Sequence, residues 1–325
     1  MNEIKEHESR EDCRQGEWMM SIKSEMKIGV IGGGSIGLYY AANLSKWFPV
    51  TLYTRTSRQS KAIQENGIAL RENGREKRAI VRVKQLTEAD SIDEDLLLVA
   101  VKQYHLQGMV PFFQQLSPDV SLLFLQNGMG HLFLLEQLPQ KNVYLGTVEH
   151  GVLKEQDTIV QVRGRGMTNV SVYRGSRQLL EQFVSQTNGS FPFQFHQNYQ
   201  NMMMAKLLAN AMINPLTAVL KVPNGELIKN PYYHQLLTAM FTELVSVFPK
   251  YKSDATFNKV LEIIQKTAEN RSSMLTDLEN GRKTEIDAIL GYVLKIAEQE
   301  QISTPMIQTV YWMIKGLENH LGLDQ

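Results

Sequence analysis

The stretch Val30–Gly37, "VIGGGSIG", decides how this chain begins to fold. It sets Gly32, Gly34 and Gly37 in the spacing G-x-G-x-x-G, after the apolar run "MKIGVI" and before the helix-period segment "GLYYAANLSKWF". In that setting the match predicts a strand, a tight turn and the start of a helix. Gly32 permits the turn, Gly34 lets backbone approach a pyrophosphate, and Gly37 lets helix and strand pack closely. The helix start then offers free N–H groups and the positive end of its dipole to an anion. A glycine-rich turn without a ligand is the plainer alternative.

Working outward, "VTLYTR" reads as a second strand and "SRQSKAIQENG" as a short helix, with Ser57 its expected cap and Gly67 its close. "IAL" and "AIVRV" flank the turn-like "RENGREK" as an antiparallel excursion. "DLLLVAV" and "SLLFLQN" are near-continuous apolar runs, as expected of strands covered on both faces, with a crossover helix between Tyr104 and Leu116. "VYLGTVEHGV", "TIVQVRG" and "TNVSVYRG" add further strands. The alternation predicts an α/β, Rossmann-type doubly wound sheet. From about Asn198 helical periods dominate. The expected division is a disordered extension over 1–25, a dinucleotide-binding domain over 26–195 and an all-α domain for substrate and dimerisation over 196–325.

The end of the second strand bears on which dinucleotide is bound. NAD sites place a carboxylate there for the ribose 2′-hydroxyl. "LYTRTSRQSK" has no acid but has Arg55, with Arg58 and Lys61 nearby. A guanidinium can pair with a 2′-phosphate, so NADP(H) is expected. FAD shares the glycine fingerprint, but its sites usually want an acid at that strand end. Lys102 in "VAVKQYH" and Asn127 in "LFLQNGMG" follow two further strands, where open sheets bind ligands. Lys102 could neutralise a phosphate or carboxylate, and Asn127 could face the nicotinamide ribose or the substrate.

Composition narrows the function classes. Lys plus Arg balance Asp plus Glu, 34 against 34, which argues against a nucleic-acid or anionic-membrane surface. No continuous apolar run approaches the roughly 18–20 residues of a spanning helix. The polar start "MNEIKEHESREDCRQGEWMM" has no apolar core of a secretory signal, and Met26, just before the first strand, could begin the functional chain. Cys13 is the one cysteine, so an intramolecular disulfide is excluded and a cysteine nucleophile is not expected. A cytoplasmic protein is expected.

The helical half carries polar groups in rows. "AKLLANAMINP" holds Lys206, Asn210 and Asn214 at every fourth residue, so one helical face presents all three; Pro215 should then distort or end the helix. "AENRSSMLTD" sets Asn270, Ser273 and Asp277 on one face, with Ser272 beside them. In "NGRKTEIDAILGYV", Thr284 is the expected cap and Glu285 lies in the first turn. A capping acid, a solvated face and amides satisfied in a core are the ordinary readings of each alone. Beside a dinucleotide domain they suggest hydride transfer to a ketone. A lysine in an apolar wall, its pKa lowered, can give the proton, and a carboxylate such as Glu285 could orient it or bind a substrate hydroxyl. The histidines show no metal spacing; His150 in "VEHGV" is the one at a strand end.

Taken together, "GGGSIG", "QNGMG", "AKLLANAMINPLTA", "VPNGEL" and "AENRSSMLTDLENGRKTEID" resemble the ketopantoate reductase family, in order, from Met26 almost to the C-terminus. The resemblance implies NADPH-dependent reduction of 2-dehydropantoate to (R)-pantoate, on the way to pantothenate and coenzyme A. It implies a second domain similar to the helical domain of 6-phosphogluconate dehydrogenase. By the same resemblance Lys206 is the proton donor and Glu285 lies at substrate and cofactor. Asn127, Asn210, Asn214 and Asn224 are substrate-contacting amides, and Asn270, Ser272 and Ser273 grip the substrate. Cofactor positions are Gly32, Gly33, Gly34, Ser35, Ile36 and Gly37 of the loop, and Arg55, Lys102, Asn127, Val152 and Glu285 beyond it. Three residues depart from the family pattern: Met204, where a tryptophan is common, Leu290 in place of Asn, and Glu149 in place of a small residue. They leave open a reductase of another 2-keto acid. A non-catalytic NADP(H) sensor is the further alternative, against which intact Lys206 and Glu285 argue. A homodimer is a possible assembly.

Overall fold

The computed structural model describes residues 25–88, 92–187, 189 and 191–323. The extension expected over 1–25, with Cys13, lies outside the described residues except for Glu25.

β1 (Ile28–Ile31) runs into the glycine loop, α1 (Ser35–Leu44) leaves it, and β2 (Val50–Thr54) returns parallel to β1 with Val50 opposite Ile28. α2 (Ser57–Asn66) follows, but its cap is Thr56, whose hydroxyl accepts the Gln59 N–H. Thr56 alone has the extended backbone an N-cap needs, while Ser57 is already helical. Gly67, at φ 66°, closes the helix as expected.

β3 (Ile68–Glu72) and β4 (Arg75–Ala79) form a hairpin across Asn73-Gly74, at φ 49° and 75°. That is the two-residue turn whose twist suits a hairpin, so the turn is shorter than "RENGREK". The expected strand "AIVRV" is split. Ala79 ends β4, Ile80 is 77% exposed, and β5 (Arg82–Gln85) joins a different sheet beside β2.

β6 (Leu96–Val99) crosses to the other side of β1. Two short 3-10 turns and α3 (Val110–Gln115) lead to β7 (Ser121–Phe124), and α4 (Leu132–Leu135) leads to β8 (Val143–Val148). β9 (Gly151–Gln156), β10 (Ile159–Gly164), β11 (Thr168–Arg174), α5 (Gln178–Gln186) and β12 (Phe193–His196) complete this half. The main sheet has the order β12-β11-β8-β7-β6-β1-β2-β5, parallel except where β11 meets β8. β9 and β10 do not extend it; with β3 and β4 they make a four-stranded sheet. β1, β6 and β7 are buried along their whole length, as apolar strands under helices on both faces must be. Each fully buried leucine, such as Leu97 or Leu98, contributes about 2 kcal/mol. Chain order reverses at β1, between β2 and β6, which opens a crevice outside the carboxyl ends of the strands.

The helical half is built on α6 (Tyr199–Leu220). α7 (Glu226–Lys229), α8 (Pro231–Val247), α9 (Asp254–Lys266), α10 (Ser273–Glu279), a π-turn at Asp287–Gly291, α11 (Tyr292–Gln299) and α12 (Pro305–His320) surround it. Pro215 does not end α6, which runs on to a left-handed cap at Lys221. Residues 211–218 are all buried, and the Thr217 hydroxyl donates to the carbonyls of Ile213 and Asn214, so packing holds the helix where the proline removes a bond. By length and composition α6 could also cross a membrane, contrary to the sequence expectation. Its polar residues break the apolar run, but most of its length is buried, as in a core helix.

Candidate active site

The glycine loop has the shape its spacing predicts. Gly32 sits at φ 116°, with Ala100 at the edge of contact. A Cβ on Gly37 would lie 1.8 Å from the Gly32 carbonyl oxygen, so helix and strand pack too closely for any side chain. A Cβ on Gly34 would meet nothing within 4 Å. Gly34 is also the N-cap of α1, with no side-chain cap and no acid in the first turn. Open space before uncapped N–H groups suits a pyrophosphate. Gly33 is covered by Gln59, whose amide donates to its carbonyl at 2.8 Å, and the Ser35 hydroxyl accepts the Lys154 N–H. Ile36 is partly buried against the sheet core. Arg55 is exposed just past β2, and Arg58 is paired with Asp157 at 2.9 Å. Val152 pairs with Val162 within the small sheet and packs against the same core.

Lys102 follows β6 and Asn127 follows β7, neighbours in the sheet. Both reach Glu285 from the helical half: Lys102 Nζ lies 3.0 Å and Asn127 Nδ2 2.9 Å from the same Glu285 Oε2. Lys102 also donates to Asp277 at 3.3 Å, and Arg282 holds the other oxygen of Asp277 at 2.9 Å. Burial is the largest influence on Glu285 and pushes its carboxyl up. Lys102, the Asn127 amide and Lys206 outweigh it, so its pKa lies below the usual range. Burial likewise pushes Lys102 down, but Glu285 and Asp277 raise it on balance. Both groups are therefore charged at neutral pH.

Lys206 stands on α6 facing the end of β8 and donates from Nζ to the Val148 carbonyl. Burial lowers it to about 8, against the pull of Glu149 and Glu285. Glu285 thus acts on Lys206 through space, while its hydrogen bonds go to Lys102 and Asn127. The exposed Glu149 accepts from Asn169 Nδ2 at 2.9 Å. Met204 and Leu290 are 4% and 0% exposed, within the helical core.

Asn210 and Asn214 continue the Lys206 face, half-buried and buried. Asn214 donates weakly to the Ser273 hydroxyl at 3.5 Å. The expected row Asn270-Ser273-Asp277 is not one helical face, because α10 begins at Ser273. Ser272 is its N-cap, accepting the Leu275 N–H, and its hydroxyl is paired with the Thr217 hydroxyl at 2.8 Å. Asn270 lies in the exposed segment before it, with its carbonyl bound to the Asn224 N–H. Asn224 donates its amide to Thr267 at 3.0 Å and is buried. Ser272 and Asn224 therefore have structural bonds, whereas Lys206, Asn210 and Asn214 follow one another along α6, with Ser273 beside Asn214. Thr284 is not the expected cap: its hydroxyl accepts the Ile286 N–H, but Ile286 is the N-cap of the element that follows, which is π rather than α.

His150 and His131 lie near this cluster without a hydrogen bond to it. His150 is enclosed by Tyr39, Tyr40 and Phe191. Its Nδ1 accepts the Gly166 N–H, which leaves Nε2–H for the Thr168 hydroxyl at 3.2 Å. Burial, with Arg165 and Lys206, lowers it to about 4, so it is a neutral core residue. His131 is fully buried and stacks on Phe124. Sequence reasoning missed two partners. The Val148 carbonyl leaves no side-chain signal, and Glu318, described below, sits in an ordinary helical period.

The family model described as "Ketopantoate reductase PanE/ApbA" matches residues 28–175, and "Ketopantoate reductase PanE/ApbA C terminal" matches 198–318. A 2-dehydropantoate 2-reductase of Listeria monocytogenes is 40% identical, across 91% of this chain and 98% of the relative. This chain belongs to the ketopantoate reductase family. The probable 2-dehydropantoate 2-reductase panE of Bacillus subtilis superposes with a TM-score of 0.83 at 38% identity, covering 90% of this chain and all of that one. A D-mandelate dehydrogenase bound to NADH and anilino(oxo)acetate superposes at 0.82, covering 92% of this chain and all of that one, at 24% identity. That likeness is one of fold. Membership of the ketopantoate reductases accounts for both halves, the sheet with its glycine loop and the helices that face it.

Proposed function

We propose that this protein reduces 2-dehydropantoate to (R)-pantoate with NADPH, in pantothenate biosynthesis and in the cytoplasm. The observation that carries the reading is the convergence of Lys206, Glu285, Lys102 and Asn127 at the strand ends beside the glycine loop. Gly32–Gly37 and the start of α1 would hold the pyrophosphate, and Arg55 the 2′-phosphate. The bound nicotinamide supplies the hydride.

The rest of the chemistry belongs to the chain. Lys206 has three N–H donors, and the Val148 carbonyl takes one, which fixes the ammonium with the others free for the cleft. At about 8 its pKa keeps it charged at neutral pH yet ready to release a proton. It polarises the ketone and protonates the developing alkoxide. Glu285, held ionised by Lys102 and Asn127, accepts from a substrate hydroxyl. Asn210, Asn214 and Ser273 bind the substrate carboxylate.

Glu149 supports a second reading, a different 2-keto acid, because its carboxylate acts on Lys206 where the family pattern has a small residue. NADPH oxidation measured with 2-dehydropantoate beside pyruvate, 2-oxoisovalerate and oxaloacetate separates the two. Preference for another acid supports the second, and turnover of none sinks both. A homodimer belongs to the proposal as well. The exposed Trp312 and Met313 on α12 offer an apolar face, and the mass in solution from sedimentation tests it.

A further inference from the structure

Glu318 is a carboxylate with no exposure at all, in the last turn of α12. Burying such a charge is costly unless it is well paired. Its Oε1 accepts both the Thr284 N–H, at 2.7 Å, and the Thr284 hydroxyl, at 2.6 Å. Its Oε2 takes Lys315 Nζ at 3.0 Å. The Thr284 oxygen in turn accepts the Ile286 N–H at 3.2 Å. On the far side, Lys315 and the Tyr311 hydroxyl reach Asp287, at 3.5 and 2.7 Å. α12 therefore grips the residues before and after Glu285, while the Glu285 carboxylate points the other way, to Lys102 and Asn127.

We propose that Glu318 is a positioning residue for Glu285, acting through Thr284. The proposal rests on the reading of Glu285 as part of the catalytic site. Thr284 is 1% exposed, so its N–H and hydroxyl have no water to turn to if Glu318 is removed. The segment must then shift, and Glu285 moves with it.

A double-mutant cycle tests this, with Glu318→Met and Glu285→Gln alone and together, measured by kcat and KM for 2-dehydropantoate and by Tm. Glu318→Met should lower kcat/KM on the order of 10²-fold, the scale of a displacement of about 1 Å. In the Glu285→Gln background the same change should cost less than about threefold, because residues acting as a unit are not additive. The fall in Tm should be alike in both backgrounds. Glu318→Gln, whose carbonyl still accepts from Thr284, should recover most of the activity. An equal activity loss in both backgrounds, or wild-type kcat/KM with lowered Tm, overturns the proposal. If Glu318→Met does not fold, Thr284→Val carries the same cycle. If the wild-type protein turns over no 2-keto acid, the functional reading fails by itself. The crystal structure of the Glu318 variant then decides: loss of the 3.0 Å Lys102–Glu285 contact supports positioning, and its retention overturns it.

Discussion

The Lys206 ammonium is bonded to the Val148 carbonyl, 58 residues earlier in the chain, at the end of β8, the last strand of the parallel run. A carbonyl accepts from the ammonium without neutralising it, so burial alone sets the downward shift. Lys206→Ala should cut the reduction rate by about 10²-fold or more, the usual scale for losing a general acid. A near-wild-type rate would remove Lys206 from that role.

The same residue sets a pH dependence. As donor it must be charged, so kcat/KM should be full below about pH 8 and fall above it. Stability has the opposite sign. The folded pKa is below the unfolded value of 10.5, so between about 8 and 10.5 the unfolded chain binds the extra proton, and this group favours folding more as pH rises. Paired pH–rate and pH–Tm series check both; a flat rate across that window contradicts the assignment.

Arg55→Ala should weaken NADPH by about 10- to 100-fold and leave NADH unchanged, the loss of one charge-assisted bond. Dissociation constants for both cofactors give the answer. An unchanged ratio would take Arg55 out of the phosphate site.

Glu285→Gln leaves Lys102 with Asp277 as its remaining carboxylate partner. Breaking a fully buried pair costs about 3–5 kcal/mol. Lys102 keeps 40% of its side chain exposed, so screening brings the expected loss nearer 2 kcal/mol. Denaturant unfolding measures it, and no loss would mean the pair is solvated in solution.

Gly128→Ala is expected to be far worse than its size suggests. Gly128 sits at φ 73°, and a Cβ there would lie 2.1 Å from the Ala288 carbonyl oxygen. The left-handed backbone and the overlap together should cost about 2–4 kcal/mol. Gly108→Ala, with nothing within 4 Å, is the control. Equal stability of the two variants would show that the Gly128 contact does not persist in solution.

What could be read from the sequence was what repeats at short range. The glycine loop, the strand ends at Lys102 and Asn127, and the four-residue period from Lys206 to Asn214 each follow from local spacing. The differences arose where distant packing decides. Pro215 sits in a helix because residues around it are buried on all sides. Asn270 falls outside α10 because Ser272, with its Thr217 bond, caps two residues later. β9 and β10 stand outside the main sheet because β3 offers β10 an edge and β10 in turn pairs with β9, and nothing in their own alternation names the partner. Glu285 could be found by motif, but that its carboxylate joins Lys102 and Asn127 required the two halves to be folded together.

The π-turn after Glu285 has a mechanical consequence. It turns the Ala288 carbonyl outward, where it accepts the N–H groups of both Met129 and Gly130 at 3.0 and 3.3 Å. The loop bearing Asn127 and the segment bearing Glu285 are thus stitched backbone to backbone, and they travel as one body.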